Sequence, residues 1–109
     1  MEQIYNKLVR DNIPDIIKKN GGEPYIRTLD DFEYKKELEK KLYEEYNEVL
    51  NASNKEEKIE ELADMLEIIS ALAKVEGKSL EDVISCAKQK SIKRGAFDNK
   101  IFLEKVIED

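Results

Sequence analysis

The stretch SNKEEKIEELADMLEIISALAKVEG, Ser53 to Gly77, decides the fold. A helix turns about 100° per residue, so each side chain in it has a calculable direction. Ile59, Leu62, Leu66, Ile69 and Ala73 share one side, and Met65, Ile68, Leu72 and Val75 make a second apolar stripe. A helix that is apolar on two sides is central in its bundle or is buried by a second subunit. Ser53 with Glu56 predicts a capped start, and Gly77 a stop.

Outward from this helix, punctuation divides the rest of the chain. Asn51 to Asn54 reads as a turn, and before it a long helix runs back to a capping box at Asp30 and Glu33. Ser79 with Asp82 opens a further helix that ends near Arg94 and Gly95. A short helix over 13–20 has Asn12 as its cap, Pro14 in its first turn and Gly21-Gly22 after it. Residues 23–29 read as extended, long enough for one short strand. The tail 96–109 carries Phe97, Ile101, Phe102 and Leu103, enough apolar bulk to predict that it docks. The sum is one all-α domain over 1–109, an antiparallel helical bundle.

Composition narrows the function. With 109 residues, one core is expected; 40% of residues are charged and only four Gly and two Pro interrupt them. A net charge of -6 disfavours duplex nucleic acid, which needs a basic face. Histidine is absent, which removes the commonest general base and most zinc recipes, and with them the Glu-x-x-His ligands of a diiron bundle. A lone cysteine, Cys86, excludes an internal disulfide and reads as a small packing residue. The N-terminal segment has no apolar signal core, and no apolar run nears the roughly 18 residues of a membrane span, so a cytoplasmic protein is expected.

The acids are the informative residues. On the long helix Leu38, Leu42, Tyr46 and Val49 form a stripe, with Glu45 about 20° from Leu38 and Glu48 about 60° further round. Glu61 and Asp64 extend the second apolar stripe of the following helix, since Asp64 precedes Ile68 by one turn and Glu61 precedes Met65. Two acids at i and i+3 share a helix face. Four converging carboxylates repel one another unless a cation intervenes. Lys41 and Lys58 are close enough in sequence to supply it; a hard divalent ion is the sharper answer, because an all-oxygen site selects Mg²⁺, Mn²⁺ or Ca²⁺. With 25 acids in the chain, solvated pairs of this spacing are also common.

The pattern Glu44-Glu45-x-x-Glu48 followed by Glu61-x-x-Asp64 resembles the metal-binding signature of the all-α nucleotide pyrophosphohydrolases. That superfamily includes MazG-like proteins, dimeric dUTP pyrophosphatases and phosphoribosyl-ATP pyrophosphohydrolase. KLVRDNIPDIIKKNG, Lys7 to Gly21, and KSIKRGAFDNKIFL, Lys90 to Leu103, resemble the opening and closing segments of a MazG-like branch. The resemblance implies that Glu45, Glu48, Glu61 and Asp64 are Mg²⁺ ligands, with Mn²⁺ as the alternative ion. It also implies that Glu45 or Glu48 handles the proton of the attacking water, and that Glu44, pointing about 100° from Glu45, stands behind them. The implied reaction cleaves a nucleoside triphosphate between its α and β phosphorus atoms.

Phosphate also needs direct cations. Lys7 and Arg10 precede the first helix; Lys90, Lys93 and Arg94 share a face at the end of the last one, where they also suit the helix dipole. Phe97 follows Gly95 and reads equally as a base-stacking ring or as packing. The superfamily is dimeric or tetrameric, and the doubly apolar helix also favours a homo-oligomer. Housekeeping hydrolysis of noncanonical nucleotides is the leading expectation. Phosphoribosyl-ATP hydrolysis, a helical interaction module without activity, and a nucleotide-binding regulator are the alternatives.

Overall fold

The structure, a computed structural model, describes residues 1–108; Asp109, the end of the expected tail, lies outside the described residues. Four helices follow one another: α1 (Ile13–Lys19), α2 (Asp31–Asn51), α3 (Lys55–Val75) and α4 (Leu80–Arg94). The all-α expectation holds. Among the described residues there is no strand, and residues 23–29 run without regular structure.

The α2–α3 hairpin is the body of the fold. Residues 52–54 join two helices of 21 residues each, about 31 Å long, so they must run antiparallel side by side. Because both helices rise equally per residue, positions equidistant from Ser53 lie at the same level. Leu38 thus faces Ile68, and Glu45 faces Glu61. Leu38 is the most deeply buried large side chain, 2% exposed, and Ser70 and Ala73 are the buried residues of α3. Met65, Ile68 and Leu72 are half-buried, whereas Ile59, Leu62 and Leu66 on the other stripe face outward. α3 packs on α2 along its length and on α4 over a shorter stretch.

The caps show how local chemistry sets the boundaries. Ser79 and Asp82 form the expected reciprocal box: the Asp82 N–H donates to Ser79 Oγ at 3.1 Å and the Ser79 N–H to Asp82 Oδ2 at 2.9 Å. At α2 only half the box forms. Asp30 Oδ1 accepts from the Glu33 N–H at 2.8 Å, while the Glu33 carboxylate turns instead to Arg27, 3.0 Å away. At α3 the cap is one residue later than the sequence predicts. Asn54 accepts from the Glu57 N–H at 2.8 Å, and Glu57 reaches back to the Ser53 N–H, so Asn54 displaces Ser53. Asn12 makes no side-chain cap: its own backbone is helical rather than extended, and the residue two positions on, Pro14, has no N–H to donate. Gly77 and Gly95 adopt φ of 77° and 85°, the left-handed backbone that ends α3 and α4 at little strain.

The described part of the tail, expected to dock, leaves its large apolar groups exposed on this chain. Phe97 is 97% exposed and Phe102 86%. α4 buries none of its own residues. The shape follows: principal extents are 67 × 35 × 24 Å and the radius of gyration is 18.8 Å. A compact chain of this length would have a radius of gyration near 13 Å.

Candidate metal centre

Glu45, Glu61 and Asp64 converge. Their carboxylate oxygens lie within 4.8 Å of one another, and each side chain is half-buried. The hairpin register causes this. Glu45 and Glu61 occupy the same level, and Asp64 follows Glu61 by one turn on the same face of α3. Glu48 is exposed and stands outside the trio. It lies one turn nearer the 52–54 connection, so about 9 Å of helix rise separates it from Asp64. Its charge is still felt at Glu61.

The electrostatics follow from that crowding. Partial burial holds the Glu61 carboxyl above its ordinary range, a hydrogen bond with Glu45 adds to this, and the charges of Glu45, Asp64 and Glu48 act in the same direction. A cation between the helices would relieve that repulsion. No lysine among the described residues pairs with the trio. Lys41 meets Glu44 at 3.8 Å, beside the cluster rather than in it. The counter-charge is Arg10: Nη2 donates to Asp64 Oδ1 at 2.7 Å, and Nη1 lies 3.5 Å from Glu67 Oε1.

Arg10 was foreseen as a cation near phosphate, but no spacing rule predicts its meeting with Asp64, which lies 54 residues away in sequence. Glu67 escaped sequence reasoning altogether; its one signal is its place one turn after Asp64. The remaining cations stay apart from the trio. Lys7 lies 5.6 Å from the ring of Tyr5. Lys90, Lys93 and Arg94 line a separate open groove with Cys86, Gln89 and Ile92, and none of the three forms an ion pair with an acid of the trio. Phe97 projects into solvent beyond them.

The donor set fits a hard divalent cation. All three groups are carboxylates, they come from two rigid helices, and the neighbouring acids raise Glu61, so the negative charge gathered here is more than Arg10 offsets. Residues 13–91, most of α1 through α4, match the phosphoribosyl-ATP pyrophosphohydrolase family. The chain belongs to that family. An uncharacterized protein of Mycolicibacterium smegmatis is 44% identical over 54 residues, half of this chain and 55% of the relative. The chain therefore spans about half the length of the curated relative it matches. No solved structure gives a significant match. No helix among the described residues is long and apolar enough to cross a membrane.

Proposed function

We propose that this chain is a nucleotide pyrophosphohydrolase that uses Mg²⁺, with Mn²⁺ as a substitute, to cleave the α–β phosphoanhydride and release a nucleoside monophosphate and pyrophosphate. The observation that carries the reading is the meeting of Glu45, Glu61 and Asp64 within 4.8 Å. These three would hold the cation, with Glu48 one turn away as a further ligand. When bound, the ion would neutralise the phosphate charge that builds up as the bond breaks.

The chain's own groups do the rest. Asp64 is oriented by Arg10 and Glu61 is poised by Glu45, so the carboxylates are set before substrate arrives. With no histidine, a carboxylate must accept the proton of the attacking water. Glu45 suits that role, because it stands on the opposite helix from Glu61 and Asp64, and Glu48, exposed at the rim, is the second candidate. Glu44 supports the site through its pairing with Lys41. Lys7, Lys90, Lys93, Arg94 and Phe97 would meet phosphate or base only when brought over from a neighbouring chain or by closure of the tail.

The same reading takes residues 1–109 as one domain, working in the cytoplasm as a homodimer or homotetramer. The exposed surface supports the oligomer. The chain shows 10261 Å² to solvent, where a folded monomer of 12.7 kDa would show about 6200 Å². The excess, about 4000 Å² per chain, is more than one side of an obligate interface hides, about 1000–2500 Å², so it leaves room for more than one such contact. Clearing noncanonical nucleotides is the role proposed first; phosphoribosyl-ATP itself is the second substrate, favoured by the family match. The experiment is a nucleotide panel that includes phosphoribosyl-ATP and oxidised, deaminated and deoxy forms, assayed for pyrophosphate with and without Mg²⁺. Metal-dependent release that disappears in Glu61→Gln and Asp64→Asn is expected. Release that survives both substitutions, or no release from any member, overturns the assignment.

A further inference from the structure

Beside the acidic trio runs a groove of about 270 Å³, lined by Arg10, Ala63, Leu66, Glu67, Ser70 and Leu80. Three parts of the chain build it. The segment before α1 gives Arg10, the start of α4 gives Leu80, and α3 gives the other four at i, i+3, i+4 and i+7, one stripe of its surface. That stripe lies about 110° round α3 from Asp64, so it is the face next to the acids and not the face opposite them. Arg10 is the partition between the two. One guanidinium nitrogen holds Asp64 at 2.7 Å and the other lies 3.5 Å from Glu67.

A substrate whose phosphates sit on the trio has its sugar and base still to place. Over Arg10, the groove is the adjoining hollow. Its lining is of the mixed kind that orients a small flat ligand: Leu66 and Leu80 as apolar walls, buried Ser70 as a hydroxyl at the floor, and Glu67 at the rim. Glu67 as a carboxylate only accepts hydrogen bonds. A ring amino group matches it, whereas a ring carbonyl in the same place sets oxygen against oxygen.

Resting on the hydrolase reading, we propose that this groove is the nucleobase subsite, and that Glu67 selects bases carrying an exocyclic amino group over their deaminated counterparts, which narrows the noncanonical nucleotides cleared to those that keep the amino group. The test uses the full chain with Mg²⁺ and compares CTP, ATP and GTP with UTP and ITP, with inorganic triphosphate as a base-free control. Leu66→Trp fills the groove; it should raise KM for the nucleotides about tenfold or more and leave inorganic triphosphate unchanged. Glu67→Gln, whose amide both donates and accepts, should erase the preference for amino bases. In parallel, calorimetry measures CMP and UMP binding to the Mg²⁺-loaded protein, so that the groove is tested without turnover. If no variant hydrolyses anything but wild type binds CMP and Leu66→Trp loses it, the hydrolase reading fails and the subsite stands. The subsite is overturned if Leu66→Trp leaves nucleotide KM and CMP binding unchanged, if it weakens triphosphate equally, or if its sole effect is on oligomeric state.

Discussion

Diluting the protein should melt it. The chain exposes 10261 Å², about 4000 Å² more than a compact monomer of its mass, and its radius of gyration is 18.8 Å against about 13 Å. Phe97, Ile101, Phe102, Leu103 and Ile107 are among the groups left in water. If a second copy covers them, folding and association are one equilibrium and Tm depends on concentration. The magnitude follows from chain length. Unfolding entropy is about 2.1 cal/mol/K per residue, so two chains of 109 residues give about 0.46 kcal/mol/K. Tenfold dilution costs a dimer about 1.4 kcal/mol, which lowers Tm by about 3 °C. A tetramer, with three association steps over twice the entropy, should lose about 4.5 °C per tenfold dilution. Calorimetry or circular dichroism across two decades of concentration reads this directly, and small-angle scattering gives the radius. A Tm that stays constant on dilution, with scattering that returns a monomer of radius near 18.8 Å, would refute the reasoning.

Leu38→Ala removes the most buried large side chain and should destabilise the protein by about 2–5 kcal/mol at fixed concentration, measured by urea melting. Ser79→Ala deletes the cap of α4 and should cost about 1 kcal/mol. The box partner Asp82 is held below its ordinary value by the backbone and side chain of Ser79, so its contribution is present above the usual aspartate range and fades as pH falls through the lowered value. Glu61 has the opposite sign. Its raised value means that its protonated form favours the fold, an effect present in acid and lost as pH rises past that value. In chelator at pH 7, Glu61→Gln should therefore raise Tm, and near pH 4 the gain should shrink; Mg²⁺ should raise the Tm of wild type more than that of the variant. A Tm difference that does not change with pH would count against the raised value of Glu61.

Periodicity and caps made the helices legible. The two-striped pattern of Ser53 to Gly77 marked α3 as central, and the reciprocal pairing of Ser79 with Asp82 marked the start of α4, because both depend on residues only a few positions apart. The pairing of Glu45 with Glu61 was nearly as plain. A short connection between helices of equal rise fixes which levels face each other. The same arithmetic separates Glu48 from Asp64, although their spacing in sequence makes all four acids look equivalent. Where Asn54 displaced Ser53, two adjacent cap formers competed, and a difference of one residue in the turn decided between them.

What the tertiary structure alone decided lies far apart in sequence. Arg10 reaches Asp64 across 54 positions, and Leu80 closes a groove begun by Ala63 and Leu66, because the path of the connections brings α4 and the N-terminal segment to the same flank of α3. Helix direction is a local property set every 100° by the backbone; which other segment meets a given face depends on the packing of the whole chain. The apolar tail makes the same point in reverse: its composition says that it must be covered, and the fold of one chain gives it nothing to lie against.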